Sequence, residues 1–230
     1  MKRLIFFDID GTLTRTQNGY IPFNEAVFKT FGFHGDIRSV IPDGNTDPRI
    51  VEDIFAQANL KFVPDEGRWA EFSRNLRECY SNAVRQGATT IRALPGAAAL
   101  LGRLAATGEF VGSVVTGNLE AMATVKLEAA ELSSYLCRGA YGSDSPHRAV
   151  LPLIAKQRCE QLHHASIPLD RCIIVGDTPK DLAAARQTRM KCVLVGTGRY
   201  PVEELVSSQP DDCLPDLSDT AGVMKALATV

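Results

Sequence analysis

The chain has 230 residues, 45% of them hydrophobic and 23% charged, with a formal net charge of −2; this is the ordinary balance of a soluble globular protein, large enough for one α/β domain with a smaller inserted unit. Neither the net charge nor any Lys/Arg block recruits nucleic acid or an anionic membrane. The apolar run after Met1-Lys2-Arg3 stops at Asp8, too short for a secretory signal, and no window approaches a membrane span, so the expectation is a cytoplasmic protein.

Leu4 to Phe7 is a short apolar run of the kind that forms a strand buried on both faces of a parallel sheet, and it ends in Asp8-Ile9-Asp10-Gly11-Thr12. Residues 15–94 break the strand rhythm. They carry amphipathic patterns over Asn24 to Phe31, Arg49 to Gln57 and Arg68 to Arg85, no convincing buried strand, and a turn cluster from Pro42 to Pro48. This stretch reads as a helical cap, with Pro95-Gly96 marking the return to the core. Next come a helix over Gly96 to Ala106, a strand over Val111 to Val115 ending in Thr116-Gly117-Asn118, and a helix over Leu119 to Leu132. A weaker strand around Gly139 to Gly142 precedes a helix over Ala149 to His164. Cys172 to Val175 is a further strand, ending in Gly176-Asp177-Thr178-Pro179-Lys180-Asp181; a helix over Lys180 to Thr188 and a strand over Cys192 to Val195 follow. Strand alternating with helix predicts a doubly wound, parallel α/β sheet, with residues 1–14 and 95–230 as the core domain and 15–94 as the cap.

Ligands of open parallel sheets bind outside the carboxyl ends of the strands. Here three strand ends present Asp8 and Asp10, Thr116, and Asp177 and Asp181 to one crevice. Asp8 and Asp10 are two apart, so an extended backbone points them the same way, and Gly11 lets the chain turn off sharply. Asp177 and Asp181 are four apart and share a face if a helix begins near Asp177. Like charges 4 Å apart repel by about 4 kcal/mol at an effective dielectric near 20, so a divalent cation is the natural remedy. An all-oxygen donor set favours magnesium.

Other features read as structural. The six cysteines (Cys79, Cys137, Cys159, Cys172, Cys192, Cys213) are scattered without a C-x-x-C pair and suit buried free thiols. His163-His164 fits a helix C-terminus. Gly196-Thr197-Gly198 lacks the third glycine of a dinucleotide fingerprint, and no P-loop occurs.

Asp8-x-Asp10-Gly11-Thr12, Thr116-Gly117-Asn118 and Gly176-Asp177-x-x-x-Asp181, in that order over nearly the whole chain, resemble the signature motifs of the haloacid dehalogenase-like hydrolases, in particular the phosphoglycolate phosphatase-like branch with its helical cap. The resemblance implies a magnesium-dependent phosphatase for a small phosphorylated metabolite. Asp8 would attack phosphorus and carry the covalent aspartyl-phosphate, and Asp10 would serve as acid and then base. Thr116 and the N–H groups of Gly117 and Asn118 would hold the phosphoryl group. Asp177 would bind the metal with Asp8 and the backbone carbonyl of Asp10, while Asp181 would ligate it or orient its waters. The family also needs a basic residue on the phosphate, commonly in a Lys-Pro pair that this chain lacks. Arg148 or Lys126 would fill that place, Arg148 being favoured because a guanidinium grips phosphate bidentately. Thr46, Asp47 and Arg49 in the cap turn are the candidates for substrate contact, with Arg49 suited to a substrate carboxylate.

Three other activities compete with this one. A β-phosphoglucomutase-like mutase would return the phosphoryl group to a sugar. A 2-haloacid dehalogenase is disfavoured by Asp10, because dehalogenases of this superfamily lack an acid there. A non-catalytic binding protein is disfavoured by retention of all four aspartates. No assembly signal is legible in the sequence.

Overall fold

The strand nearest the N-terminus is apolar on both faces because both faces are covered. In the computed structural model, which describes residues 2–63 and 65–230, the chain runs β1 (Arg3–Phe7), β2 (Thr14–Gln17), α1 (Tyr20–Phe31), α2 (Asp47–Gln57), α3 (Glu66–Arg85), β3 (Thr90–Ala93), α4 (Ala97–Thr107) and β4 (Phe110–Val115). It continues through α5 (Glu120–Ala129), β5 (Cys137–Ala140), α6 (Leu151–His163), β6 (Cys172–Gly176), α7 (Pro179–Thr188), β7 (Lys191–Val195), α8 (Val202–Ser207), β8 (Asp212–Leu214) and α9 (Thr220–Thr229). Six strands form one parallel sheet in the order β5-β4-β1-β6-β7-β8. The order reverses at β1, which lies between β4 and β6 and so brings the ends of all three together.

Alternation along β1 sorts its side chains to the two faces. Ile5 and Phe7 pack with Leu100, Leu127 and Leu227 of α4, α5 and α9. Leu4 and Phe6 pack with Leu151, Leu182 and Leu205 of α6, α7 and α8. Both layers are buried, which is why the strand sequences show continuous apolar runs instead of alternation.

The inserted helices build a third core from Phe23, Val27, Ile54, Phe72 and Leu76. At one end Phe31 meets Phe55, Phe62, Trp69 and Phe72 at ring-centroid distances of 5.4 to 6.4 Å. Leu119, Met122 and Val125 belong to this core too, although they lie on or next to α5. Helix α5 is therefore apolar on two sides, with Ala123 and Leu127 facing the sheet.

Two strands absent from the sequence expectation frame the insertion. β2 and β3 pair antiparallel, Thr14 opposite Ala93 and Gln17 opposite Thr90, in a ribbon whose residues are largely polar and part-exposed. With no apolar run, periodicity gives no strand signal there. Other elements shift by a few residues. β5 starts at Cys137, where pairing to Ser113 of β4 begins, two residues before the expected strand. α5 ends at Ala129 because Glu131 takes a left-handed φ of 59°, three residues short of the expected end. α8, β8 and α9 complete the chain beyond the last expected strand. Among the described residues no helix is long and apolar enough to cross a membrane.

Candidate active site

The carboxyl edges of β1, β4 and β6 open into a cavity of about 660 Å³ beneath the inserted helices. Asp8 follows β1 directly. Its N–H donates to the Val175 carbonyl at 2.9 Å, so the sheet ladder continues to the aspartate and fixes where it stands. The chain then turns back, the Ile9 carbonyl accepting from the N–H groups of Leu13 and Thr14 at 3.0 and 2.8 Å. Gly11 makes this turn with φ of 77°, and any Cβ there would overlap the Asp177 carboxylate.

Asp177 follows β6 and accepts a hydrogen bond from the Thr12 hydroxyl at 3.1 Å. Asp181 reaches the site by a different route from the shared helix face that the four-residue spacing predicts. Helix α7 begins only at Pro179, so Asp177 precedes it, and Asp181 is the third helical residue of a capping box. One of its oxygens accepts from the Thr178 N–H and hydroxyl at 3.1 and 2.7 Å, and the other accepts from the Arg148 guanidinium. The pattern Thr178-x-x-Asp181 is the sequence signal for this cap.

Ligand atoms of Asp8, Asp177 and Asp181 all lie within 4.8 Å of one another, and all three residues are buried. Burial, with the neighbouring Asp8 and Asp181 charges, pushes Asp177 up to about 9. Burial also raises Asp8 to about 6, against the opposing pull of Arg148. Arg148 itself stays firmly protonated, since Asp181 and Asp8 outweigh the burial that works against its cation. Three carboxylates and one guanidinium leave a formal surplus of two negative charges, which a divalent cation would balance, and the oxygen-only donors suit magnesium. Arg148 touches both Asp181 and Asp8, the latter at 3.3 Å, while its buried Nε has no partner. An unsatisfied buried N–H is an open place for an acceptor oxygen.

Asp10 stands outside the carboxylate cluster, its side chain 45% exposed. One of its oxygens accepts from Lys126 Nζ at 2.5 Å and from Asn118 Nδ2 at 2.8 Å. Lys126 also donates to Asn118 Oδ1 at 2.7 Å, and Asn118 Nδ2 donates to Thr116 Oγ1 at 2.8 Å. Lys126 and Arg148 thus occupy different positions: Arg148 serves the Asp8 side and Lys126 the Asp10 side.

The cap turn differs from expectation. Arg49 is 58% exposed and paired with Glu52 and Asp53 at 3.3 and 3.1 Å along the outside of α2. As the third helical residue, Arg49 is in reach of acids three and four positions on, and it does not line the cavity. Thr46 is buried and donates to the Pro146 carbonyl at 2.9 Å, likewise off the cavity wall. Asp47 does line the cavity; burial raises it to about 6, opposed by Lys126. The basic side chains that complete the wall are Arg15, Arg38 and Arg199. Each is an isolated exposed arginine in sequence, with nothing local to mark it. Thr197 and Gly198, of the Gly196-Thr197-Gly198 segment, close the same cavity.

The haloacid dehalogenase-like hydrolase family model matches residues 2–188. A protein of Dickeya dadantii described as probable phosphatase IndB is 28% identical over 231 residues, covering 99% of this chain and 95% of that protein. Phosphoglycolate phosphatase of Rhodospirillum rubrum is 28% identical over 233 residues, covering 96% and 92%. The crystal structure of a hydrolase from Pseudomonas syringae superimposes with a TM-score of 0.71 at 21% identity, covering 98% of both chains. A match over most of the chain, on a sheet whose strand ends carry every motif in order, makes this protein a member of the haloacid dehalogenase-like hydrolases.

Proposed function

We propose that the protein is a magnesium-dependent phosphatase that cleaves a small phosphomonoester, of the phosphoglycolate or sugar phosphate type, through an aspartyl-phosphate on Asp8. The observation that carries this reading is the division of labour between the two aspartates. Asp8 is clustered with Asp177, Asp181 and Arg148, whereas Asp10, two residues on, is turned to Lys126 and Asn118. A nucleophile needs the first environment, where cations offset the charge of an approaching phosphoryl group. An acid and base needs the second, with a free edge toward the leaving group and water.

Asp8 and Asp177 would hold the ion, with Asp181 behind them fixing Arg148. Bound there, magnesium would neutralise the nucleophile and the transferring phosphoryl oxygens. The carboxylate of Asp8 attacks phosphorus as the ester oxygen leaves with a proton from Asp10. Asp10, now ionised, takes a proton from a water molecule, which attacks phosphorus and returns Asp8 as a carboxylate with free phosphate. Arg148 Nε, unpartnered in its pocket, would donate its N–H to a phosphoryl oxygen. The Thr116 hydroxyl, which only accepts from Asn118, keeps its own proton for another. The names of the two relatives, phosphatase and phosphoglycolate phosphatase, support the reaction and the small-ester class.

The test is phosphate release with magnesium over a panel of glycolate, sugar and nucleotide monophosphates. Wild type should turn over at least one, and Asp8→Asn should release none while keeping its fold. Release by Asp8→Asn at a comparable rate would defeat the aspartyl-phosphate route.

A further inference from the structure

The helical cap is fastened to the core by a turn that lands beside the chemistry. Asn45 to Pro48 sits between the loop after β4 and the loop after β5. The Asp47 N–H donates to the Gly117 carbonyl at 2.8 Å, and the Asp47 carboxylate accepts from the Leu119 N–H, also at 2.8 Å. These two bonds bracket Asn118. The packing is close: a Cβ on Gly117 would overlap the Asn45 carbonyl and come within 2.9 Å of Thr46 Cα. Leu119, which precedes α5, has no side chain able to cap that helix, so the carboxylate that meets its N–H comes from the cap.

Asn118 is the residue whose side chain bridges Thr116, Asp10 and Lys126. Whatever sets the backbone on either side of it therefore sets the Asp10 network and the orientation of the neighbouring N–H groups. Asp47 is only 7% exposed and, among the described residues, is the one cap side chain that hydrogen-bonds this loop.

We propose that Asp47 is a positioning residue that couples seating of the cap to the geometry of Thr116–Leu119, so that the phosphoryl-binding N–H groups and the Asn118–Asp10 hydrogen bond are assembled only while the cap turn is in place. Asp47 acts through the loop and does not touch the reacting atoms. The inference rests on the phosphatase reading for its catalytic consequence, and its structural half is independent of that reading.

The test compares Asp47→Ala and Asp47→Asn with Leu76→Ala, which opens a cavity in the core that the cap shares with α5 and leaves both Asp47 hydrogen bonds in place. Three quantities are read: kcat and KM with magnesium, inhibition by inorganic phosphate, and hydrogen–deuterium exchange over residues 116–122. Loss of a positioning bond should lower kcat about tenfold and weaken phosphate inhibition by a similar factor in Asp47→Ala, with the magnesium requirement unchanged. Exchange over 116–122 should quicken by about the same factor. Asp47→Asn keeps an acceptor for the Leu119 N–H and should recover most of both losses. Leu76→Ala should lower the melting temperature and leave kcat and loop exchange near wild type. If Asp47→Ala does not fold, Asp47→Glu, which carries the carboxylate one methylene past the Leu119 N–H, replaces it with the same expected losses. The proposal is overturned if the folded Asp47 variant matches wild type in all three readouts, or if Leu76→Ala lowers kcat as much. A wild type that hydrolyses no ester would defeat the phosphatase reading, and loop exchange would still decide the coupling.

Discussion

Replacing Asp177 by asparagine should make the metal-free protein more stable while abolishing its response to magnesium. Asp177 titrates near 9 in the fold against an ordinary 3.8, through burial and the Asp8 and Asp181 charges. A carboxyl raised in this way destabilises the native state above its unfolded pKa: the penalty starts near pH 4, grows with pH, and levels off near 9. Each pKa unit is worth about 1.4 kcal/mol, so the penalty at pH 7 is about 4 kcal/mol. Asparagine removes it and still offers a carbonyl to the Thr12 hydroxyl. In chelator at pH 7, Asp177→Asn should therefore melt roughly 10 °C above wild type, with the gap closing as the pH falls toward 4. Magnesium should raise the wild-type melting temperature, most strongly at alkaline pH where the empty carboxylates cost most, and should leave the variant unmoved. Thermal denaturation by circular dichroism at several pH values, with and without magnesium, measures all of this. A variant less stable than wild type in chelator at pH 8, or a gap independent of pH, would refute the argument.

Arg148→Ala leaves Asp8 and Asp181 buried without their cation and should cost about 3–5 kcal/mol in urea denaturation; Arg148→Lys should recover part of that stability and little of the kcat, because ammonium lacks the fork. Lys126→Met removes the donor shared by Asp10 and Asn118, and steady-state assays should show kcat lowered roughly a hundredfold with phosphate inhibition changed far less. Cys137 and Cys159 place their sulfurs 3.3 Å apart, and that hydrogen bond lowers Cys137 to about 7. A thiol reagent at pH 7.5 should label Cys137 first, and Cys137→Ser should remove the fast phase.

The carboxyl-edge residues were legible because their neighbours are uniform. A buried apolar strand followed by acids has few structural uses, so Asp8, Asp10, Thr116 and Asp177 stand out from the sequence in their proper order. Asp181 was legible by position and misread by mechanism, since helix spacing suggested a face where a capping box operates. Arg148 and Lys126 each meet a different aspartate of the first motif, a distinction that depends on side-chain reach and leaves no trace in spacing. The turn cluster from Pro42 to Pro48 is legible from its composition, but the partners of its side chains are not: Arg49 spends its charge on Glu52 and Asp53, while Thr46 and Asp47 bond to the core. The linker ribbon was invisible because its stability comes from pairing across some seventy residues, and no local pattern encodes that.

Helix α5 gives one flank to the sheet and the other, through Met122 and Val125, to the inserted bundle. Excising residues 15–94 would strip that second flank bare, leaving a sticky surface on an otherwise finished domain. The bundle is thus no detachable module, and exchanging it for another would demand matched changes along α5. New specificity is more accessible by altering single wall residues, with both halves obliged to evolve as a unit.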